Sequence, residues 1–443
     1  MNVVIIGGDA AGMSAAMQVV RAEPDWNVTV LEMGAVYSYA QCGLPYYIGG
    51  IVRDSDSLIA RERGVFEEKF GIDARIYHKV EELDAENRVV RGRVLDGSDD
   101  TFSVKYDKLL IASGASPVMP PFEGRDLAGI HVLKTIPDAE RIVADMKEDV
   151  LNVTVVGGGY IGLEVAENLA MQGKKVRIID LADRLGLVYD AEVSEYIQDE
   201  AIANGIELVL GESVRSFEGD SRVEVVRTDK GEYEADMVVV AVGVEPNSAF
   251  VEKSGIHLHE SGAILVNPFM ETNVKHIYAA GDCATQYHRI KEHADYIPLG
   301  THANKQGRVA GVNISGGSKT FKGMVGTSIV KFFDLTIGKT GLSVKEAEDL
   351  RLDYEVIGYE TAPFAGYYPG ADVMYIRMIK DKVSDRLLGV QAVGKTGVDK
   401  RIDVAATALY HQMTTEDMEN LDISYAPPFN SVWDPLQQGA RRI

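Results

Sequence analysis

The sequence predicts an α/β fold with two Rossmann-like dinucleotide-binding domains followed by a C-terminal α+β domain. Three observations carry this expectation. A β-branched run at residues 3–6 leads into Gly7-Gly8-Asp9-Ala10-Ala11-Gly12. The same order returns 150 positions later, with residues 153–156 leading into Gly157-Gly158-Gly159-Tyr160-Ile161-Gly162. After about residue 323 the pattern shifts to alternating apolar runs, the period of an antiparallel sheet.

Each glycine segment continues into an Ala-rich amphipathic stretch, residues 13–22 and 163–171. Each then reaches a second apolar run that ends in an acid, Glu32 and Asp180. This is a βαβ unit read twice. Further strands are expected at 109–112, 237–242 and 277–280. The first two run into Ser113-Gly114 and Gly243-Val244-Glu245-Pro246, sharp turns where a sheet edge meets cofactor. In the last third, runs at 328–332, 354–359 and 374–379 predict an antiparallel sheet, and 399–412 a helix.

The second glycine segment fits G-x-G-x-x-G in full. Gly157 makes the tight turn, Gly159 admits the pyrophosphate and Gly162 lets helix and strand approach, with the helix N-terminus facing the phosphates. Asp180, 18 positions after Gly162, suits an adenosine ribose 2′-hydroxyl. A carboxylate there repels a 2′-phosphate, so NADH is favoured. Arg184 softens that preference and leaves NADPH open. In the first segment Gly7 and Gly12 keep the turn, and Glu32 follows 20 positions after Gly12. Asp9 replaces the middle glycine, so its side chain must point away from a phosphate.

The composition is that of a globular protein: 443 residues, 46% hydrophobic and 25% charged, with a net charge of −22. The acidic balance argues against nucleic acid and anionic membranes as partners. No leader pattern or membrane-length apolar run is read, and two cysteines fit a reducing compartment, so a cytoplasmic location is expected.

Of those two cysteines, Cys42 and Cys283, neither has a close partner in sequence. A lone redox cysteine cycles as a thiolate, a sulfenic acid or a mixed disulfide with a small thiol. Gly43 and Pro45 imply a turn into a helix N-terminus, which would lower the Cys42 pKa. Cys283 reads as inert packing. His302 and His411 lack metal-ligand spacing, and no metal is expected.

Residues 272–282, ending in Ala279-Ala280-Gly281-Asp282, resemble the second flavin motif of the pyridine nucleotide–disulfide oxidoreductase superfamily. The resemblance implies FAD on the first unit, with Gly281 allowing close approach and Asp282 accepting a hydrogen bond from the ribityl chain. It implies NAD(P)H on the second. The implied division is 1–112 with 242–322 for FAD, 113–241 for NAD(P)H and 323–443 for dimerisation. The segment Ser38-Tyr39-Ala40-Gln41-Cys42-Gly43-Leu44-Pro45 resembles the single-cysteine branch. That branch holds coenzyme A disulfide reductases, persulfide reductases, and NADH oxidases and peroxidases.

Within the branch this chain resembles the coenzyme A disulfide reductases. Ala10 stands where the oxidases and peroxidases carry a histidine. Gln18, Arg21, Ser38 and Gln41 match positions that contact coenzyme A, and Arg61 and Arg63 are candidates for its 3′-phosphate. Gly366-Tyr367-Tyr368-Pro369-Gly370 and Ser424-Tyr425-Ala426-Pro427-Pro428-Phe429 also match. They imply a homodimer in which Tyr367 and Tyr425 reach the partner subunit's Cys42 and protonate a departing thiolate. The resemblance implies reduction of coenzyme A disulfide by NAD(P)H through a Cys42–S–S–CoA intermediate. Oxidase or peroxidase chemistry through a sulfenic acid, persulfide or polysulfide reduction, and a non-enzymatic redox sensor stay open. No rhodanese extension is expected after Ile443.

Overall fold

The computed structural model describes residues 1–98 and 100–443. Strand Asn2–Ile6 is the middle of a parallel five-stranded sheet ordered Ile277–Ala279, Lys108–Ile111, Asn2–Ile6, Asn27–Leu31, Asp73–Arg75. A second parallel sheet repeats the plan as Glu207–Leu210, Lys175–Asp180, Asn152–Val156, Met237–Val240, Ile130–Val132. The central strands of both are apolar at successive positions because helices or further layers cover each face.

The two glycine turns are near copies. Gly7 has φ +106° and Gly157 φ +107°, a conformation closed to most side chains. A Cβ on Gly12 would lie 1.9 Å from the Gly7 carbonyl oxygen, and one on Gly162 would lie 1.9 Å from that of Gly157. The helices that follow, Ala10–Ala22 and Tyr160–Met171, start three residues earlier than expected, directly behind Asp9 and Gly159.

Helix Ala10–Ala22 lies against helix Gly300–Ile314 through small residues. A Cβ on Gly307 would meet the Ala11 carbonyl oxygen at 2.1 Å, and one on Gly311 the Ala15 oxygen at 2.7 Å. The chain leaves the first sheet and returns to it through an antiparallel ribbon, Ala115–Pro117 with Val244–Pro246. Asn247 fastens this crossing: its Nδ2 donates to the Ser113 carbonyl at 2.9 Å and its Oδ1 accepts from Ser116 Oγ at 2.7 Å.

The last third is a five-stranded antiparallel sheet ordered Ser328–Phe332, Leu335–Gly341, Leu387–Gly394, Met374–Asp381, Tyr354–Thr361, with helix Val398–Tyr410 against it. It also grips the second unit. Arg377 donates to Asp190 at 2.6 Å and to Glu192 at 2.7 Å, and the Tyr160 and Ser328 hydroxyls meet at 2.6 Å. Among the described residues no helix is long and apolar enough to cross a membrane.

The helix–helix contact gives a direct test. Gly307→Val should destabilise the protein by about 2–3 kcal/mol in urea unfolding, because the new side chain meets backbone. Gly64→Ala, at a helical position with nothing within 4 Å, should instead be neutral or slightly stabilising. Equal effects at the two sites would contradict this packing.

Candidate active site

Cys42 sits in the turn Gln41–Gly43, exposed, immediately before the short helix Leu44–Ile48. Leu44 and Ile48 are buried in a cluster shared with Leu163 and Leu169 of the second unit and Phe332 of the third sheet. Helix Tyr160–Met171 is the platform. The Tyr46 hydroxyl donates to Glu164 Oε1 at 3.3 Å, and Gln172 Nε2 donates to the Gly49 carbonyl at 2.6 Å. The thiol therefore stands where the two dinucleotide units meet.

The expected drop in the Cys42 pKa is corrected. Although the residue reaches solvent, the protein packed around it desolvates the thiolate and raises the pKa, and the Glu164 carboxylate raises it further, while Lys134 pulls the other way. A five-residue helix carries too little field to outweigh desolvation here. Burial also pushes Glu164 up to about 7, against the hydrogen bond from Tyr46. Lys134 Nζ pairs with Asp282 Oδ2 at 3.0 Å, tying the flavin-like motif to the second unit. Lys134 and Glu164 were not singled out in the sequence. Glu164 follows Gly162 by two positions in the fingerprint, a signal that was readable. Lys134 is brought in only by the fold. Cys283 is fully buried and donates to the Ile111 carbonyl at 3.4 Å, a packing role as expected.

In each unit the distal acid clamps its own glycine loop. Glu32 accepts from the Gly8 and Gly34 amides, both at 2.7 Å, and Asp180 accepts from Gly158 at 2.6 Å and Ala182 at 2.8 Å. Asp9 turns toward the cysteine loop, accepting from the Tyr39 amide at 3.1 Å and from Gln41 Nε2 at 2.9 Å. This commits one Gln41 N–H to the loop, whereas the sequence reading left it free for substrate. Beside Gly114, Gly159 and Gly243 a Cβ would meet nothing within 4 Å. That open space, at Gly114 in the first unit and at Gly159 and Gly243 in the second, leaves room for a dinucleotide beside the glycine turn of each unit.

A short pairing sets the segment leading to Cys42 alongside the one leading to Arg61: Ala60 N donates to the Ser38 carbonyl and Ala40 N to that of Leu58, each at 2.8 Å. Ser38 holds a left-handed φ of +49°. The Arg61 guanidinium lies over the Phe66 and Phe70 rings, 5.4 and 5.6 Å from their centroids, with no ion-pair partner among the described residues. Arg63 pairs with Glu67 at 3.5 Å.

Gln18 and Arg21 lie further along helix Ala10–Ala22, Arg21 about 16 Å along its axis from Ala10. Ser14 Oγ donates to Asn304 Oδ1 at 2.8 Å, and Asn304, Lys305 and Arg308 are exposed on the neighbouring helix. Tyr367 and Tyr425 come together on two loops and are exposed, and the neighbouring Tyr425 hydroxyl raises the Tyr367 pKa. Among the described residues no group of three or more His, Cys, Asp or Glu is placed to hold a metal.

Comparison with known proteins places these features. Residues 1–307 match the pyridine nucleotide-disulphide oxidoreductase family and residues 327–436 its dimerisation domain. The chain is 43% identical over 446 residues to an NAD(P)H sulfur oxidoreductase (CoA-dependent) of Pyrococcus abyssi, covering 99% of this chain and 97% of that one. It is 33% identical over 432 residues to a coenzyme A disulfide reductase of Staphylococcus haemolyticus, covering 97% and 96%. The structure superposes on an NAD-dependent persulfide reductase from A. fulgidus with a TM-score of 0.96 at 37% identity, covering 100% of this chain and 82% of that one.

Asp9 supplies a pH test. Burial pushes its carboxyl up to about 6, against the hydrogen bonds from Tyr39 and Gln41. A carboxyl raised in the folded state costs stability when it ionises. That cost is absent below the unfolded value near 4 and complete above about 6. Asp9→Asn should therefore gain stability relative to the parent as pH rises from 4.5 to 7, by about 2 kcal/mol in urea unfolding. A difference that stays flat with pH would contradict the shift.

Proposed function

The chain belongs to the pyridine nucleotide-disulphide oxidoreductase family, an FAD-dependent user of NAD(P)H, and from that premise we propose that it reduces coenzyme A disulfide. The observation that carries the reading is the solitary accessible thiol, Cys42, at the meeting of the two dinucleotide units. With Cys283 buried in the core, the second sulfur of any exchange must come from the substrate.

Bound FAD supplies a two-electron relay between nicotinamide and Cys42. The remaining chemistry falls to the chain. The Cys42 thiolate attacks one sulfur of coenzyme A disulfide, forming Cys42–S–S–CoA and releasing one thiolate, which takes a proton. Two electrons then cleave the mixed disulfide, freeing the second coenzyme A and restoring the thiolate. The balance is one NAD(P)H, one proton and one disulfide giving NAD(P)⁺ and two thiols.

Ser38 precedes Cys42 by four positions, and Gln18, Arg21 and Arg61 offer polar and cationic groups for the amide and phosphate groups of coenzyme A. Two chains form a dimer in which Tyr367 and Tyr425 serve as proton donors to the thiolate leaving the partner subunit's Cys42. A second reading, reduction of coenzyme A persulfide or polysulfide, uses the same sulfur–sulfur cleavage. It is favoured by the higher identity to the Pyrococcus abyssi sulfur oxidoreductase, 43% against 33% for the Staphylococcus haemolyticus disulfide reductase.

Cys42→Ser should keep its FAD and its binding of NADH yet lose turnover of coenzyme A disulfide and persulfide by at least about 10³-fold. Unchanged disulfide-dependent NADH oxidation in that variant would remove the mechanism. Faster turnover of persulfide than of disulfide by the parent enzyme would select the second reading. Tyr425→Phe should slow turnover by about 10²-fold with FAD content unchanged.

A further inference from the structure

The loops that carry Tyr367 and Tyr425 are tied to one buried cation. Arg401, on helix Val398–Tyr410, is 1% exposed. Its Nη2 donates to the Pro363 carbonyl at 2.6 Å and to Asn430 Oδ1 at 2.9 Å, and lies 3.1 Å from Asp434 Oδ2. Its Nη1 donates to the Gly397 carbonyl at 3.1 Å. Pro363 opens the loop of Tyr367, and Asn430 closes the loop of Tyr425.

Asn430, itself fully buried, completes the tie. Its Nδ2 donates to the Ser424 carbonyl at 3.1 Å, one residue before Tyr425, and to Asp434 Oδ2 at 2.8 Å. Its backbone amide donates to the Ala426 carbonyl at 3.0 Å, one residue after Tyr425. The two loops also touch directly, Ala365 N donating to the Pro427 carbonyl at 3.3 Å. Asp434 anchors the far side by capping helix Pro435–Ala440 through Leu436 N at 2.9 Å. The start of the Tyr367 loop and the backbone on both sides of Tyr425 are thus bonded to the same guanidinium or to its amide partner. A buried ion pair adds little net stability over a packed apolar replacement, but its directional bonds fix one geometry.

We propose that Arg401, acting through Asn430 and Asp434, is a positioning residue that sets the two phenols in register for proton delivery. The inference rests on the reading of Tyr367 and Tyr425 as proton donors. Arg401 reaches neither the substrate nor the thiol of its own chain. It acts only by holding the backbone on which the phenols stand.

The test uses the FAD-loaded enzyme and two variants, Arg401→Lys and Asn430→Ser, each in the parent and in a Tyr367→Phe/Tyr425→Phe background. Two rates are read: flavin bleaching by NADH without disulfide, and kcat with coenzyme A disulfide. The expected result is a kcat loss of about tenfold or more in the parent background, with flavin content and bleaching unchanged within about twofold. In the doubly Phe background the further loss should be less than about twofold, because the groups being positioned are gone. Unchanged kcat, parallel loss of bleaching, or a full further loss in the Phe background would overturn the proposal. Should Arg401→Lys fail to fold, Asn430→Ser alone decides between these outcomes. A doubly Phe enzyme with full kcat would overturn the tyrosine reading, and this proposal with it.

Discussion

The close approach of helix Ala10–Ala22 to its surroundings is the constraint on which the rest of the site depends. At its start, Gly12 touches the Gly7 carbonyl, which forces the turn that faces a nucleotide. Along its flank, Gly307 and Gly311 let helix Gly300–Ile314 close to backbone contact. That contact brings Ser14 Oγ to Asn304 Oδ1 at 2.8 Å. Just ahead of the helix, the Asp9 carboxylate reaches Tyr39 and Gln41 and so fixes the segment that presents Cys42. One helix thereby sets the positions of the glycine loop and the cysteine segment together.

The electrostatics of the thiol follow from where it is held. Docking the cysteine segment on helix Tyr160–Met171 gives it a rigid platform and brings Glu164 near the sulfur. Desolvation and a nearby acid disfavour a free thiolate. A neutral mixed disulfide carries no such penalty, and stabilisation of the reduced thiolate is what makes a disulfide strongly oxidising. The surroundings of Cys42 therefore disfavour an open thiolate. Lys134, paired with Asp282, is the opposing charge.

Local signals account for what was legible in the sequence. Both glycine turns were readable because each needs a specific residue at a specific backbone position, and the helices behind them followed. Asp9, expected to turn away from a phosphate, turns to the Tyr39 amide and Gln41, a partner choice the sequence did not disclose. Strands Leu335–Gly341 and Leu387–Gly394 were not read, because Gly338, Gly341, Gly389 and Gly394 break the apolar alternation. Those glycines have a packing cause: a Cβ on Gly338 would meet Ile402 of the covering helix at 2.5 Å. The polar strands His78–Asp84, Val89–Val94 and Thr101–Lys105 form a flanking sheet whose exposed faces carry no burial pattern. At the site, Cys42 announced itself by its solitude. Lys134 and the Arg401 node did not, because only tertiary contacts give them meaning.

The state of Cys42 in the purified protein tests the central claim most directly. The protein would be denatured, treated with reductant, and the small thiol released from Cys42 identified by mass. Release of coenzyme A in proportion to FAD is the result predicted for a thiol that cycles through a mixed disulfide. No thiol released on reduction, with Cys42 trapped as a sulfenic acid in a parallel sample kept free of reductant, would contradict it and point to oxidase or peroxidase chemistry instead.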